Sequence, residues 1–66
     1  MPIAYRIKAL GLGRGQERYP LLFVISSNYD IDKDKKMVMN KVEGELRRNW
    51  GDNYILKSVE KLTGGL

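Results

Sequence analysis

The acidic residues are the first candidates for chemistry, because alternating carboxylates occur in calcium-binding loops and in hydrolytic sites. Asp30, Asp32 and Asp34 alternate as the first ligands of a calcium-binding loop do. Lys35 then stands where such a loop needs its turn glycine, and Lys36 follows it, so the pattern is broken directly after Asp34. These aspartates are better explained as negative charge before a helix N-terminus.

A second carboxylate pair, Glu43 and Glu45, lies two residues apart within a helical pattern. Side chains at that spacing point in different directions, so the pair cannot readily flank one substrate. The chain also contains no histidine and no cysteine, which removes the usual general base and the thiolate metal ligands. The sequence therefore predicts no enzyme, no metal site and no cofactor.

Residues 11–18, GLGRGQER, place three glycines at alternate positions, a pattern found in phosphate-binding loops and in hairpin loops. A phosphate-binding loop requires a helix directly after it, whereas the residues that follow are typical of a strand. We therefore expect a flexible Gly-rich hairpin loop at 11–18, from which Arg14 and Arg18 reach an anionic partner.

The charge balance also favours anionic partners. Twelve lysines and arginines stand against eight acidic residues, which gives a net charge of +4 and a pI near 9.6. Nucleic acid, acidic protein surfaces and anionic lipid all suit such a charge, although solubility alone would also account for it. No apolar run approaches the ~18 residues of a membrane span, and the N-terminus lacks a signal-peptide profile. A cytoplasmic protein is expected.

One helix and three strands must position these side chains. Residues 31–50 have helical periodicity, with an apolar arc formed by Val38, Met39, Val42, Leu46 and Trp50. The opposite face is basic and carries Lys33, Lys36, Lys41, Arg47 and Arg48. Asp30 or Asp32 is predicted to cap the N-terminus of this helix, and Gly51 is predicted to end it.

The strands flank the helix in sequence. Residues 3–10 alternate between apolar and polar, which is typical of a half-buried strand. Residues 19–27 are apolar on both faces, which is typical of a strand that is central or covered on both sides. Residues 53–62 fit a helix or a strand, and the strand is favoured by their composition. The predicted fold is a single small α+β domain over residues 1–66, with β-β-α-β order and one helix packed on a three-stranded sheet.

A single helix covers only one face of such a sheet, so the other face is left open. Its predicted occupants are Arg6, Lys8, Leu22, Val24, Ile55, Lys57, Val59 and Lys61. This mixed apolar and basic surface contains too much aliphatic area to be exposed without a function. The prediction depends on strand register, because a slip of one residue would turn the same side chains to the other face.

Three segments of the chain, in order, are AYRIKALGL, FVIS and ILKSVEKLTG. They resemble the first, second and closing strands of the CpcD-like domain of small phycobilisome linker polypeptides. The turn before the closing strand departs from the family, because residues 51–54 are Gly-Asp-Asn-Tyr instead of a Gly-Gly-Lys turn. The resemblance implies a non-catalytic linker, without a cofactor, that docks on acidic chromoproteins. The same size and topology also suit small phage-encoded proteins that bind and disable host enzymes.

The sequence thus predicts a protein-interaction module that docks on an acidic partner protein or assembly. The candidate contact residues are Arg6, Lys8, Arg14, Arg18, Leu22, Val24, Lys57 and Lys61. The alternative is a basic nucleic-acid-binding protein that contacts mainly the phosphate backbone. Sheet-based RNA readers stack bases on exposed aromatic rings, whereas the predicted register turns Tyr5 and Phe23 toward the helix. A homodimer formed through the open face is a further alternative.

Overall fold

The described part of the chain forms one antiparallel sheet of three strands with a single helix on one face. The computed structural model describes residues 2–62. Its elements are β1 (Ile3–Leu12), β2 (Arg18–Ser27), α1 (Lys35–Trp50) and β3 (Tyr54–Lys61). The strand order is β2-β1-β3, with both pairings antiparallel. The predicted α+β fold with β-β-α-β order is confirmed, and the last segment is a strand.

The position of β2 differs from the prediction. Because its two faces are both apolar, the sequence favours a central or doubly covered strand, yet β2 lies at an edge of the sheet. The centre is occupied by β1, which pairs with β2 through the hairpin and with β3 after the helix returns the chain to its other side. The second apolar face of β2 is exposed because no element within residues 2–62 covers that side of the sheet.

The core lies between α1 and the facing side of the sheet, mainly β1. It consists of Tyr5, Ile7, Ala9, Ile25, Val38, Val42 and Leu46. The odd-numbered residues of β1 alternate inward, and the three helical residues recur every fourth position, as amphipathic packing requires. The predicted apolar arc of the helix is therefore confirmed at Val38, Val42 and Leu46. Met39 and Trp50 are half-buried at its margins.

The helix begins later than the sequence predicts. Its N-cap is Asp34, whose side chain makes no capping hydrogen bond, so neither Asp30 nor Asp32 is the cap. The preceding residues form a separate turn in which the Asp34 N–H donates to the Asp30 carbonyl at 2.7 Å. At the other end Gly51 ends the helix as predicted, with φ of 61° and its N–H donating to the carbonyl of Arg47 at 2.9 Å.

The hairpin loop is shorter than residues 11–18, because Gly11, Leu12 and Arg18 belong to the strands. It is closed by two backbone bonds: the N–H of Gly13 donates to the carbonyl of Glu17 at 2.9 Å, and the N–H of Gln16 donates to the carbonyl of Gly13 at 3.1 Å. Among the described residues of the loop, the one with a positive φ is not a glycine but Gln16, at 66°.

Gln16→Gly is expected to stabilise the protein by about 1 kcal/mol, because a β-carbon in the left-handed region carries a steric cost that glycine avoids. Urea unfolding followed by circular dichroism measures the change. Gln16→Ala is the matched control, since it keeps the β-carbon and should leave stability unchanged. An equal gain from both substitutions would show that the glutamine side chain, not its backbone conformation, is unfavourable.

The connection from β2 to α1 is fixed by side chains from all three strands. The buried hydroxyl of Tyr5 donates to the carbonyl of Tyr29 at 2.7 Å and accepts the N–H of Ile31 at 2.9 Å. Ser27 Oγ accepts the N–H of Tyr29 at 3.1 Å. From β3, Lys61 Nζ pairs with Asp30 Oδ2 at 2.9 Å. The connection is therefore a fixed part of the fold.

The hydrogen bond between Asp30 and Lys61 changes the ionisation of both groups. It holds the pKa of Asp30 below its ordinary value, assisted by the N–H of Asp32, and it raises the pKa of Lys61. Both shifts favour the charged forms. The pair thus loses its contribution to stability as pH falls through the lowered carboxylate pKa, or rises through the raised ammonium pKa.

Candidate functional site

The face of the sheet opposite α1 has no cover within residues 2–62. The register places the even-numbered residues of β1 and β2 on this open face, with Leu22 beside Lys8 and Val24 beside Arg6. From the other edge Ile55 lies beside Leu10. The side chains of Leu22, Val24 and Ile55 are 66%, 60% and 41% exposed. Three aliphatic side chains of the small protein are therefore in contact with solvent on one surface.

Four of the predicted contact residues share this open face, namely Arg6, Lys8, Leu22 and Val24. Arg18 lies on the same side, at the end of β2 and opposite Leu12. Arg14 lies apart from them, exposed in the hairpin loop. The predicted exposure of an aliphatic patch next to basic side chains is confirmed for the part of the surface formed by β1 and β2.

The predicted positions of Val59 and Lys61 on the open face are wrong. Between Lys8 and Ala9 the pairing of β1 with β3 shifts by one residue, so Lys57 has no partner and forms a β-bulge. Beyond the bulge the alternation is inverted. Val59 packs against the core, and Lys61 reaches Asp30 on the helix side instead of the open face. Lys57 is exposed at the bulge itself.

The open face is also less basic than the sequence suggests. The inversion brings Glu60 opposite Arg6, and the two side chains form an exposed ion pair. The Nε atom of Arg6 is buried without a hydrogen-bond partner, so this guanidinium lies against the sheet. Lys8, between Leu22 and Ser58, is the exposed cation at the centre of the face.

Sequence reasoning missed Leu10, Leu12 and Pro20, which extend the apolar part of the open face toward the hairpin. Leu10 and Pro20 lie within the predicted strands, at positions that alternate with the inward residues, and were left out of the open face; Leu12 was missed because the first strand was ended at Leu10. The alternation of β1 in fact continues through Gly11 and Leu12, and this continuation was the available signal.

A groove runs along the other flank of β2, between its free edge and the helix. It arises because α1 packs mainly over β1 and β3. The groove has a volume of about 630 Å³ and contains apolar side chains of both elements, including Phe23, Leu46 and Trp50. Lys41 crosses its rim, where Nζ donates to the carbonyl of Ser26. The inner face of β2 is thus only partly covered.

The aromatic side chains are on the helix side or outside the sheet faces. Tyr5 is fully buried and Phe23 packs against the core, as predicted. Tyr19 lies beside Trp50, with ring centroids 5.8 Å apart. Within residues 2–62 the open face carries no aromatic ring. Base stacking of the kind that sheet-based RNA readers use therefore has no platform there.

Asp30, Asp32 and Asp34 do not converge in a manner that suggests a cation. The carboxylate of Asp30 accepts the N–H of Asp32 at 2.9 Å and pairs with Lys61. Within the described range, no three acidic side chains form a group that could hold a metal ion. The same range contains no helix that is long and apolar enough to cross a membrane.

In comparisons with known proteins, no family model matches the chain, and neither a curated protein nor a solved structure is significantly similar to it.

Proposed function

We propose that the chain is a small non-catalytic cytoplasmic module whose open face docks on an acidic partner protein or assembly. The observation that carries the proposal is the exposure of Leu22, Val24 and Ile55 on one uncovered surface. Exposed aliphatic side chains that share one face with charged neighbours are typical of protein-interaction sites. Burial of these side chains by a partner would supply affinity, since each removes apolar area from water.

The charges explain why the partner would be acidic. The net charge of +4 steers association with a negative surface. Lys8 at the centre of the face and Arg18 at its end are exposed and available for local pairing. Linker polypeptides of the type that the chain resembles, and regulators that bind host enzymes, would both use such a surface.

The nucleic-acid alternative is supported mainly by charge. Phosphate contacts would come from Arg14, Arg18 and the lysines of the helix, without stacking on the open face. Such binding would weaken steeply with salt, because it is driven by the release of counterions. Salt dependence therefore separates the two functions in one experiment.

Leu22→Asp combined with Val24→Asp is expected to abolish docking while the domain remains folded, because both side chains are exposed in the free protein. The tagged protein is used to capture partners from lysate of its own source at low and high salt. Asn28→Asp with Asn40→Asp adds the same charge at exposed positions outside the sheet and is the matched control. An acidic protein retained by the wild type and the control, but not by the variant, is the expected result.

Ile55→Asp tests the same face from the opposite edge of the sheet and should also weaken docking at least about tenfold. Two results would contradict the proposal. Retention of nucleic acid that disappears at high salt would favour phosphate-backbone binding. Unfolding of the Leu22 and Val24 variant, measured by circular dichroism, would show that these residues belong to the core and not to a docking surface.

A further inference from the structure

The two edges of the sheet differ in how they are protected against pairing. On β3 the bulge at Lys57 and the charges of Glu60 and Lys61 interrupt the edge. On β2 the residues from Leu21 to Ser27 carry no charge, and the pairing with β1 has no irregularity. Natural sheets block their edges with charges, prolines, bulges and short strands. On β2 such features stand only at the two ends, at Pro20 and at the Ser26 carbonyl that Lys41 occupies, so the stretch between them is open to pairing.

The hydrogen-bonding direction of β2 follows from that of β1. The N–H of Leu62 donates to the carbonyl of Ala4, so Ala4 directs its backbone groups toward β3 and away from its β2 partner, Ser26. Because direction alternates along a strand, the even-numbered residues of β2 point their N–H and C=O groups to the free edge. The carbonyl of Ser26 accepts Lys41 Nζ there, which agrees with this direction.

We infer that β2 pairs in antiparallel fashion with β2 of a second copy of this chain, about a twofold axis at Phe23. In this register Leu22 lies opposite the partner's Val24, and both exchange their N–H and C=O groups. Pro20 lies opposite the partner's Ser26. The missing N–H of Pro20 then faces the Ser26 carbonyl, which Lys41 already satisfies.

This match favours the Phe23 axis over the neighbouring register. Moving the axis by one residue, to Val24, would place the Leu22 N–H against the occupied carbonyl of Ser26. With the axis at Phe23, Pro20, which has no N–H, faces the Ser26 carbonyl that already accepts Lys41. The N–H and C=O groups of Leu22 and Val24 are all paired. Such self-complementarity is what a twofold interface requires.

The side chains along β2 are also compatible with self-pairing. On the helix side Phe23 meets its own copy at the axis, and Leu21 meets the partner's Ile25 across the groove. On the open face Leu22 meets the partner's Val24. All these pairs are apolar, and no like charges oppose each other between 21 and 27. The result is a six-stranded sheet with both helices on one side and both open faces continuous on the other.

The molar mass in solution tests the pairing. The wild type is expected at twice the 7.6 kDa chain mass in sedimentation equilibrium. Val24→Pro removes an N–H that points to the free edge, not to β1, so the domain should fold but associate at least about tenfold more weakly. Val24→Thr keeps that N–H and should remain a dimer. A wild type that is monomeric up to millimolar concentration, or a dimeric Val24→Pro, would overturn the inference.

Cross-linking tests the register and does not depend on the proline variant. Because the natural chain has no cysteine, Leu22→Cys and Val24→Cys each supply one reactive site at an exposed position. A mixture of the two under mild oxidation is expected to give mainly the mixed disulfide. A predominant link between two copies of Val24→Cys would overturn the Phe23 axis. Ile55→Asp should leave this dimer intact, so failure of docking and failure of dimerisation are distinguishable.

Discussion

Tyr5→Phe should lower the free energy of unfolding by about 2 kcal/mol and the melting temperature by about 10 °C. The phenol is fully buried, and its hydroxyl bonds both the carbonyl of Tyr29 and the N–H of Ile31. Phenylalanine fills the same space but leaves both backbone groups without their partner. In a domain of this size the whole core contributes only about 3–5 kcal/mol, so the loss is a large fraction of the stability.

Thermal and urea unfolding measure this change, and hydrogen exchange at the amide of Ile31 locates it. The exchange rate should rise more at Ile31 than in the centre of β1, because the hydroxyl fixes the β2–α1 connection. Tyr19→Phe is the control, since the Tyr19 hydroxyl makes one exposed bond, to Glu17 at 3.2 Å. A Tyr5→Phe variant within about 0.5 kcal/mol of wild type would mean that water replaces the hydroxyl at both backbone groups.

The role of Tyr5 shows what periodicity can predict. Alternation along β1 places Tyr5 inward without any knowledge of its neighbours, and the structure agrees. Its hydroxyl partners lie 24 and 26 residues further along the chain, and nothing in the local pattern identifies them. The prediction that Asp30 or Asp32 caps the helix is wrong for the same reason: it ignores partners that are distant in the sequence. Asp30 is used by Lys61 of β3, a contact that exists only after the chain has folded.

Pairing between strands limited the prediction of the open face. The bulge at Lys57 inverts the direction of every later residue of β3, and it is defined by the register with β1 rather than by a glycine or proline in β3 itself. The sequence therefore predicted Ile55 correctly, before the bulge, and Val59 and Lys61 incorrectly, after it. Residues of β1 and β2, whose register is continuous, were placed correctly.

The ambiguity of β2 was of a different kind. An apolar pattern on both faces is compatible with a covered central strand and with an exposed edge strand that has a binding function. The choice depends on whether β1 or β2 takes the middle position, which the hairpin alone does not determine. The same apolar second face that favours a central or covered position for β2 makes its exposed face and its edge candidates for interaction.

The contact between Gly11 and Trp50, which are also far apart in the sequence, gives another prediction with a large effect on stability. Gly11→Val should destabilise the protein by about 3 kcal/mol, near the limit that the core can tolerate. Gly11 is buried beneath the ring, and a β-carbon at this position would lie 2.5 Å from Cζ2 of Trp50. The ring would have to move away, losing its contact with Tyr19 at the same end of the helix.

Because Trp50 is the single tryptophan of the chain, its fluorescence reports this displacement directly. Emission of the folded Gly11→Val variant should shift to longer wavelength, and Trp50→Leu should relieve the clash, giving a coupling energy above about 1 kcal/mol in a double-mutant cycle. Gly44→Ala is the control, since a β-carbon there meets no atom within 4 Å, and it should stabilise the helix by about 1 kcal/mol. Additive effects of Gly11→Val and Trp50→Leu would instead assign the cost to the strand backbone, because a clash with the ring cannot persist once the ring is gone.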